Sequence, residues 1–376
     1  MTVKRSATLR EASGLDAAIK RKGARFETHH IRERKDEHLD IVLKRDVGSG
    51  TTTGFEDVRF AHVALPEIAL ADVDLSTSFL GRQVQAPILI SSMTGGPARA
   101  AAINENIARA AQTLGIGFGV GSQRIALETE HCGGIDHRLR RLAPDVPIMA
   151  NFGAAQLRLW DGPEMARRAV DMIEADALII HLNPLQEAVQ ERGDRNWRGI
   201  LAAIEGICRA VDFPVIVKEV GSGISGALAR RLIEAGVSVI DIAGAGGTSW
   251  AAVEAERAKT ERGQAIANAF RSWGLPTADA LRDVRVLCPE ALVIASGGLQ
   301  DGVDCAKAIR LGADMTALAA AVLPFAIAGA GALTAHLEII IEQLRIACFC
   351  TGSHNLAALR QAKLAAPANG AESDLS

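Results

Sequence analysis

The sequence predicts an α/β protein: a closed (β/α)8 TIM barrel with an N-terminal extension covering part of the barrel. Three observations carry this. Eight short apolar runs recur, at residues 87–92, 117–121, 147–152, 177–182, 214–220, 238–242, 292–295 and 315–319. Each is too short for a helix and lacks hydrophobic alternation, as strands buried on both faces do. Amphipathic stretches at 100–114, 164–174, 225–235 and 302–311 fall between them, and strand–helix alternation implies a parallel sheet. Chemistry-capable residues end several of the runs, which is where a barrel keeps its active site.

An open doubly wound sheet is the rival arrangement. It needs a Gly-x-Gly-x-x-Gly turn after its first strand. The run at 87–92 is followed by Met93-Thr94-Gly95-Gly96, too short for that turn. Composition agrees with the barrel. Of 376 residues, 48% are hydrophobic and only 4% aromatic, with no Tyr. The core is therefore built from Ala, Leu, Ile and Val, as parallel α/β sheets prefer. A net charge of −3 gives no electrostatic case for nucleic-acid binding. No apolar run reaches the about 18–20 residues of a membrane span; the longest, 315–333, is Ala/Gly-rich and fits a strand and a helix. The six cysteines form no Cys-x-x-Cys pair, as in a reduced, cytoplasmic protein.

Residues 1–28 are basic without an apolar core, and Glu11, Asp16 and Glu27 weaken a transit-peptide reading. They are expected to form a flexible extension, residues 29–364 a single domain, and 365–376 a disordered tail. Within 29–86, β-like pieces at 58–63 and 68–73 are expected to cover the barrel. Arg34-Lys35-Asp36-Glu37-His38 packs three potential cations into five residues. Such a run is either a solvated face or an anion site.

The strand ends follow in order. Ser122-Gln123-Arg124, after the second strand, sets a hydroxyl and a guanidinium at the barrel mouth, and Arg suits multidentate phosphate recognition. His181-x-Asn183-x-x-Gln186-Glu187 ends the fourth. His181 and Asn183 share a face by period two. Glu187 suits Mg²⁺, which takes few protein ligands, or is a solvated helix-start carboxylate. Lys218 ends the fifth strand inside an apolar run, where an unpaired ammonium is costly. It is a snorkelling lysine or a cation facing an electron-rich cofactor edge, such as flavin N1–C2=O. Gly246-Gly247-Thr248-Ser249-Trp250 follows the sixth. If the chain is helical there, Trp250 and Glu254 share a face. Ser296-Gly297-Gly298 and Ala319-Ala320-Ala321 follow the last two strands, the usual position of a barrel phosphate site.

These motifs, with Ser91-Ser92-Met93-Thr94-Gly95-Gly96, Val120-Gly121-Ser122-Gln123-Arg124, Asn151-Phe152-Gly153, Val217-Lys218-Glu219 and Thr351-Gly352, resemble the type 2, FMN-dependent isopentenyl diphosphate isomerases. The match runs from about Arg34 to Leu359. The resemblance implies that Met93, Thr94, Gly95, Ser122, Asn151, Lys218 and Thr248 hold FMN, and that Gly297, Gly298, Ala319 and Ala320 hold its phosphate. It implies that Arg34, Lys35, His38 and Arg124 bind the diphosphate of a small-molecule substrate, that Ser122, Gln123 and Gln186 also bind the substrate, and that Glu187 takes Mg²⁺. Gln186, with Trp250 and Glu254 nearby, would sit at the alkene, and His181 and Asn183 would line the substrate site. It further implies NADPH as reductant of the flavin and a homo-oligomer, a tetramer or octamer. The 33 residues before Arg34 depart from the family pattern, in which that motif lies near the N-terminus.

The main alternative is an FMN-dependent 2-hydroxyacid oxidase or dehydrogenase. That chemistry needs a His base and an Arg clamp after the sixth strand, where this chain reads Gly244 to Trp250 with neither. A purine-nucleotide dehydrogenase needs a loop cysteine, for which Cys132 is the nearest candidate. A non-enzymatic flavin-binding scaffold would make the polar clusters structural.

Overall fold

The computed structural model describes residues 34–93, 98–129 and 134–365. A hairpin of β1 (Thr77–Phe79) and β2 (Arg82–Val84) precedes eight parallel strands. These are β3 (Ile88–Ile90), β4 (Gly117–Gly119), β5 (Ile148–Gly153), β6 (Ala177–His181), β7 (Val215–Lys218), β8 (Val239–Asp241), β9 (Leu292–Ser296) and β10 (Met315–Leu318). They pair in sequence order, and β10 closes on β3 to make a barrel. Each falls on one of the eight predicted runs. The four predicted helical stretches are Ala98–Leu114, Gly162–Ile173, Gly226–Glu234 and Gly302–Arg310.

Alternation along each strand sorts the core into two layers. Ile88, Ile90, Leu178, Ile180, Val215 and Val217 face the helices. Leu89, Met149, Ile179, Ile216, Val239, Ile294 and Met315 fill the barrel, and Phe79 and Val84 of the hairpin join them. The hairpin thus plugs the N-terminal end of the barrel. Each fully buried aliphatic side chain contributes about 1.5–3 kcal/mol, so the barrel is a packed floor rather than a pore.

The extension departs from expectation. Residues 58–63 and 68–73 are not paired strands, and the second contains a 3-10 turn at Leu70–Asp72. The first is held by the end of the chain instead: Ala61 N–H bonds Lys363 O at 2.9 Å and Val63 N–H bonds Cys350 O at 2.9 Å. Residues 34–44 form a helix, here α1. The chain after it pairs with the loop beyond β8, through Ser49 N–H to Gly247 O at 2.7 Å and Ser249 N–H to Val47 O at 2.8 Å. This stitches α1 onto the C-terminal face of the barrel.

Candidate active site

Two-residue alternation builds the floor of the site. Met149, Ile179, Ile216, Val239 and Ile294 face the barrel interior, so Asn151, His181, Lys218, Asp241 and Ser296, two residues on, face the same way at the C-terminal rim. Strand register places His181 beside Lys218, and Lys218 beside Asp241. Above them opens a cavity of about 590 Å³, within the range of small-molecule and cofactor sites. The described residues predicted for the site all line it except Gln123 and Glu254. Thr94 and Gly95 lie outside the described residues.

Gln123 is a correction. It is fully buried, its amide donating to Ala169 O at 2.9 Å and accepting from Asn151 N–H at 2.8 Å. Ser122 and Arg124 flank it on the cavity side; Gln123 points the other way and locks β5 in place. Glu254 also stands behind the wall, on the helix Trp250–Arg257, here α2. Its Oε1 accepts from Gln186 Nε2 at 3.2 Å and contacts His38 Nε2 at 2.9 Å, while Arg257 donates to Oε2 at 2.7 Å. Burial raises the Glu254 carboxyl, but the His38 contact and the Arg257 charge outweigh it and hold the group below its ordinary value. Burial pushes His38 down, against the contact with Glu254. Trp250, on the same helical face, meets His38 edge-on at 5.2 Å between ring centroids.

The end of β6 carries the densest polar cluster. The helix Pro184–Val189, here α3, opens with Pro at its first turn, where a missing N–H is harmless. Asn183 Nδ2 donates to Gln186 Oε1 at 3.0 Å and Glu187 Oε1 at 3.1 Å. Gln190 Nε2 and the Asp194 N–H donate to Glu187 Oε2 at 3.1 and 2.7 Å. Glu187 is only 7% exposed, which removes the solvated-carboxylate reading. Burial raises its carboxyl, against the Asp194 and Asn183 hydrogen bonds. Its Oε1 has a lone pair to spare for a cation. The Asn183 Oδ1 and Arg34 Nε are buried with no partner, and both residues line the cavity. Unpaired buried polar atoms are rare; these await a ligand.

The remaining wall is cationic. Lys35 Nζ donates to Ser122 O at 3.1 Å. Burial, with Arg34 and Arg124 nearby, lowers the lysine to about 7. Arg124 is held by Glu128 at 3.1 Å and by Asp194 at 3.6 Å. On the floor, His181 Nδ1 lies 2.9 Å from Asn151 Oδ1, whose amide donates to Ser92 Oγ at 3.1 Å. That acceptor assigns the ring proton to Nδ1. Burial, with Lys218 and Lys35 nearby, pushes His181 down to about 3, so it is neutral at working pH.

Two glycine turns shape the rim over β9. Gly297 and Gly298 have φ of +100° and +79°, and an added Cβ would come within 2.2 Å of Gly244 O and 2.7 Å of Gly246 C respectively. Glycine is thus required here by packing against the loop after β8, besides leaving backbone open to an anion. Ala319 and Ala320 complete this part of the wall. Ser92, Gln190, Asp194, Arg257 and Asp241 had no predicted role. The signal for Asp241 was available: a buried lysine needs a counter-charge, and Asp241 ends the neighbouring strand.

A family model described as FMN-dependent dehydrogenase matches residues 47–130 and 159–366. The chain is 60% identical to the isopentenyl-diphosphate delta-isomerase of Stutzerimonas stutzeri over 332 residues, 88% of this chain and 96% of the relative. It is 57% identical to that of Cronobacter sakazakii, covering 89% and 97%. Among solved structures, it is similar to a mandelate oxidase variant at 19% identity, TM-score 0.60 and coverage of 88% and 96%. It is also similar to a putative lactate oxidase of Pediococcus acidilactici at 18%, TM-score 0.57, covering 84% and 87%. Those structural likenesses speak for the fold alone. The chain belongs to the isopentenyl-diphosphate delta-isomerases, within the FMN-dependent dehydrogenase family.

Proposed function

We propose that this protein interconverts isopentenyl diphosphate and dimethylallyl diphosphate by moving a proton on and off the two ends of an allylic system, with reduced FMN and Mg²⁺. The observation that carries this is the pairing of two anion sites in one cavity. The loops after β9 and β10 fit a flavin phosphate, and the Arg34, Lys35 and Arg124 cluster fits a diphosphate. The residues suit a flavin: Lys218 ends β7 beneath an open cavity, with Thr248 and Met93 on its walls and Asn151 on its floor. When bound in its reduced form, FMN would supply the acid–base chemistry, and NADPH is the proposed reductant.

The chain's own side chains bind and orient. The three cations anchor the diphosphate, and such anchoring turns positioning into rate. Glu187 offers one carboxylate oxygen to Mg²⁺. No group of three or more metal-ligating His, Cys, Asp or Glu side chains occurs among the described residues, so substrate oxygens and water would complete the shell. Gln186, fixed by Asn183 and Glu254, presents an amide to the alkene end. An amide is too weak an acid to protonate an alkene, so its part is to orient and to exclude water, and the proton source lies elsewhere.

The hydroxyacid-oxidase reading lacks its chemistry here. The loop after β8 that should bring a His base and an Arg clamp runs Gly244 to Trp250 without either. Incubating the FMN-loaded protein anaerobically with isopentenyl diphosphate tests the proposal. Dimethylallyl diphosphate should form with dithionite-reduced flavin and not with oxidised flavin. Reduction of the flavin by lactate or mandelate, without isomerisation, would favour the oxidase instead.

A further inference from the structure

Three buried polar groups at adjacent strand ends form a unit, of which the proposed reaction uses only Lys218. Lys218 Nζ lies 3.5 Å from Asp241 Oδ2. Ser296 Oγ donates to Asp241 Oδ1 at 2.5 Å and accepts from Lys218 Nζ at 3.4 Å. The third anchor is the Glu219 carbonyl, which accepts from Nζ at 3.0 Å. Lys218 and Ser296 line the cavity; Asp241 does not and is 3% exposed. The carboxylate therefore stands behind the ammonium, in the barrel, while the ammonium faces the ligand.

We infer that Asp241, braced by Ser296, is a positioning residue that holds the Lys218 cation against the flavin ring and so sets the flavin's preference for its reduced form. The inference rests on the flavin placement proposed above. An isolated buried ammonium is costly, and removing one partner of a buried pair leaves the other uncompensated. Without Asp241, Lys218 sheds its charge or turns toward water, and in either case the ring loses its cation. A reduced flavin carries negative charge at N1–C2=O, so that loss weakens reduced FMN more than oxidised FMN. Burial raises the Asp241 carboxyl and Lys218 opposes that rise, so the carboxylate depends on the ammonium beside it.

The test is an anaerobic redox titration of the FMN-loaded protein, native and with Lys218→Met, Asp241→Asn or Ser296→Ala, alongside oxidised-FMN affinities. Asp241→Asn should favour oxidised over reduced flavin by about tenfold, a fall of about 30 mV in the two-electron potential. Lys218→Met should shift it the same way, and the double variant should add little to Lys218→Met. Ser296→Ala should give a smaller fall. If Lys218→Met lowers the potential but Asp241→Asn leaves it unchanged or raises it, Asp241 does not hold the cation and the inference is overturned. If Lys218→Met changes nothing, the flavin placement itself is wrong and the inference falls with it. Should Asp241→Asn fail to bind FMN, Ser296→Ala decides: a fall supports the inference, and no change or a rise overturns it.

Discussion

Gln186 and Glu254, 68 positions apart, meet through a hydrogen bond of 3.2 Å behind the cavity wall. The same carboxylate oxygen holds His38 of α1. One group thus couples the helix that caps the barrel mouth to the Gln186 amide, which lines the cavity. Bonds to a charged acceptor are worth about 1.5–3 kcal/mol. Glu254→Gln should therefore lower kcat/KM by about 10–100-fold, with FMN affinity unchanged. Steady-state rates with a flavin titration check this, and an unaltered kcat/KM would show that Gln186 needs no such support.

Lys35 is held near neutrality by burial and by Arg34 and Arg124. Its ammonium form, present below about pH 7, is the form that attracts a diphosphate. As pH rises through about 7, the free protein loses that charge and substrate binding weakens. KM should thus rise across this window, and Lys35→Arg, which stays charged, should flatten the rise. The pH dependence of KM for the two proteins decides it; identical profiles would assign the titration to another group or to the substrate.

Glu187 lines the cavity with an Oε1 that accepts one hydrogen bond, from Asn183, and burial raises its carboxyl. Glu187→Gln removes the charge but keeps the shape, so the apparent Mg²⁺ requirement should rise by about tenfold or more, the equivalent of about 1.4 kcal/mol. Full activity of that variant at limiting Mg²⁺ would remove Glu187 from the metal site.

Gln123 joins β5 to the helix Gly162–Ile173 through buried hydrogen bonds. Gln123→Ala leaves the Asn151 N–H and the Ala169 carbonyl without this partner, so stability should fall by about 1–3 kcal/mol. KM for the diphosphate should stay close to that of the native protein. Chemical denaturation and kinetics separate the two; a large rise in KM with intact stability would return Gln123 to the substrate site.

The eight strands were legible because a parallel strand buried on both faces leaves an uninterrupted apolar run. The polar strand ends His181 and Lys218 were legible because each closes an apolar run, whereas Asn151 came from the family resemblance. Residues 58–63 misled because their order comes from backbone bonds to residues 350–363, which no local pattern reveals. Gln123 misled through its neighbours: Ser122 and Arg124 face the cavity, and the residue between them points away. Glu254, expected near Gln186, bonds it from one layer behind the cavity wall, because the Trp250–Arg257 helix turns its inner face toward α1 and α3.

The central claim is a redox-neutral isomerisation on a reduced flavin. The direct measurement is anaerobic: protein with FMN, Mg²⁺, isopentenyl diphosphate and a small known amount of NADPH. Dimethylallyl diphosphate formed is then counted against NADPH oxidised. The account predicts many products per NADPH. A flavin that binds and is reduced, yet yields no product, or product in one-to-one ratio with NADPH, would contradict it.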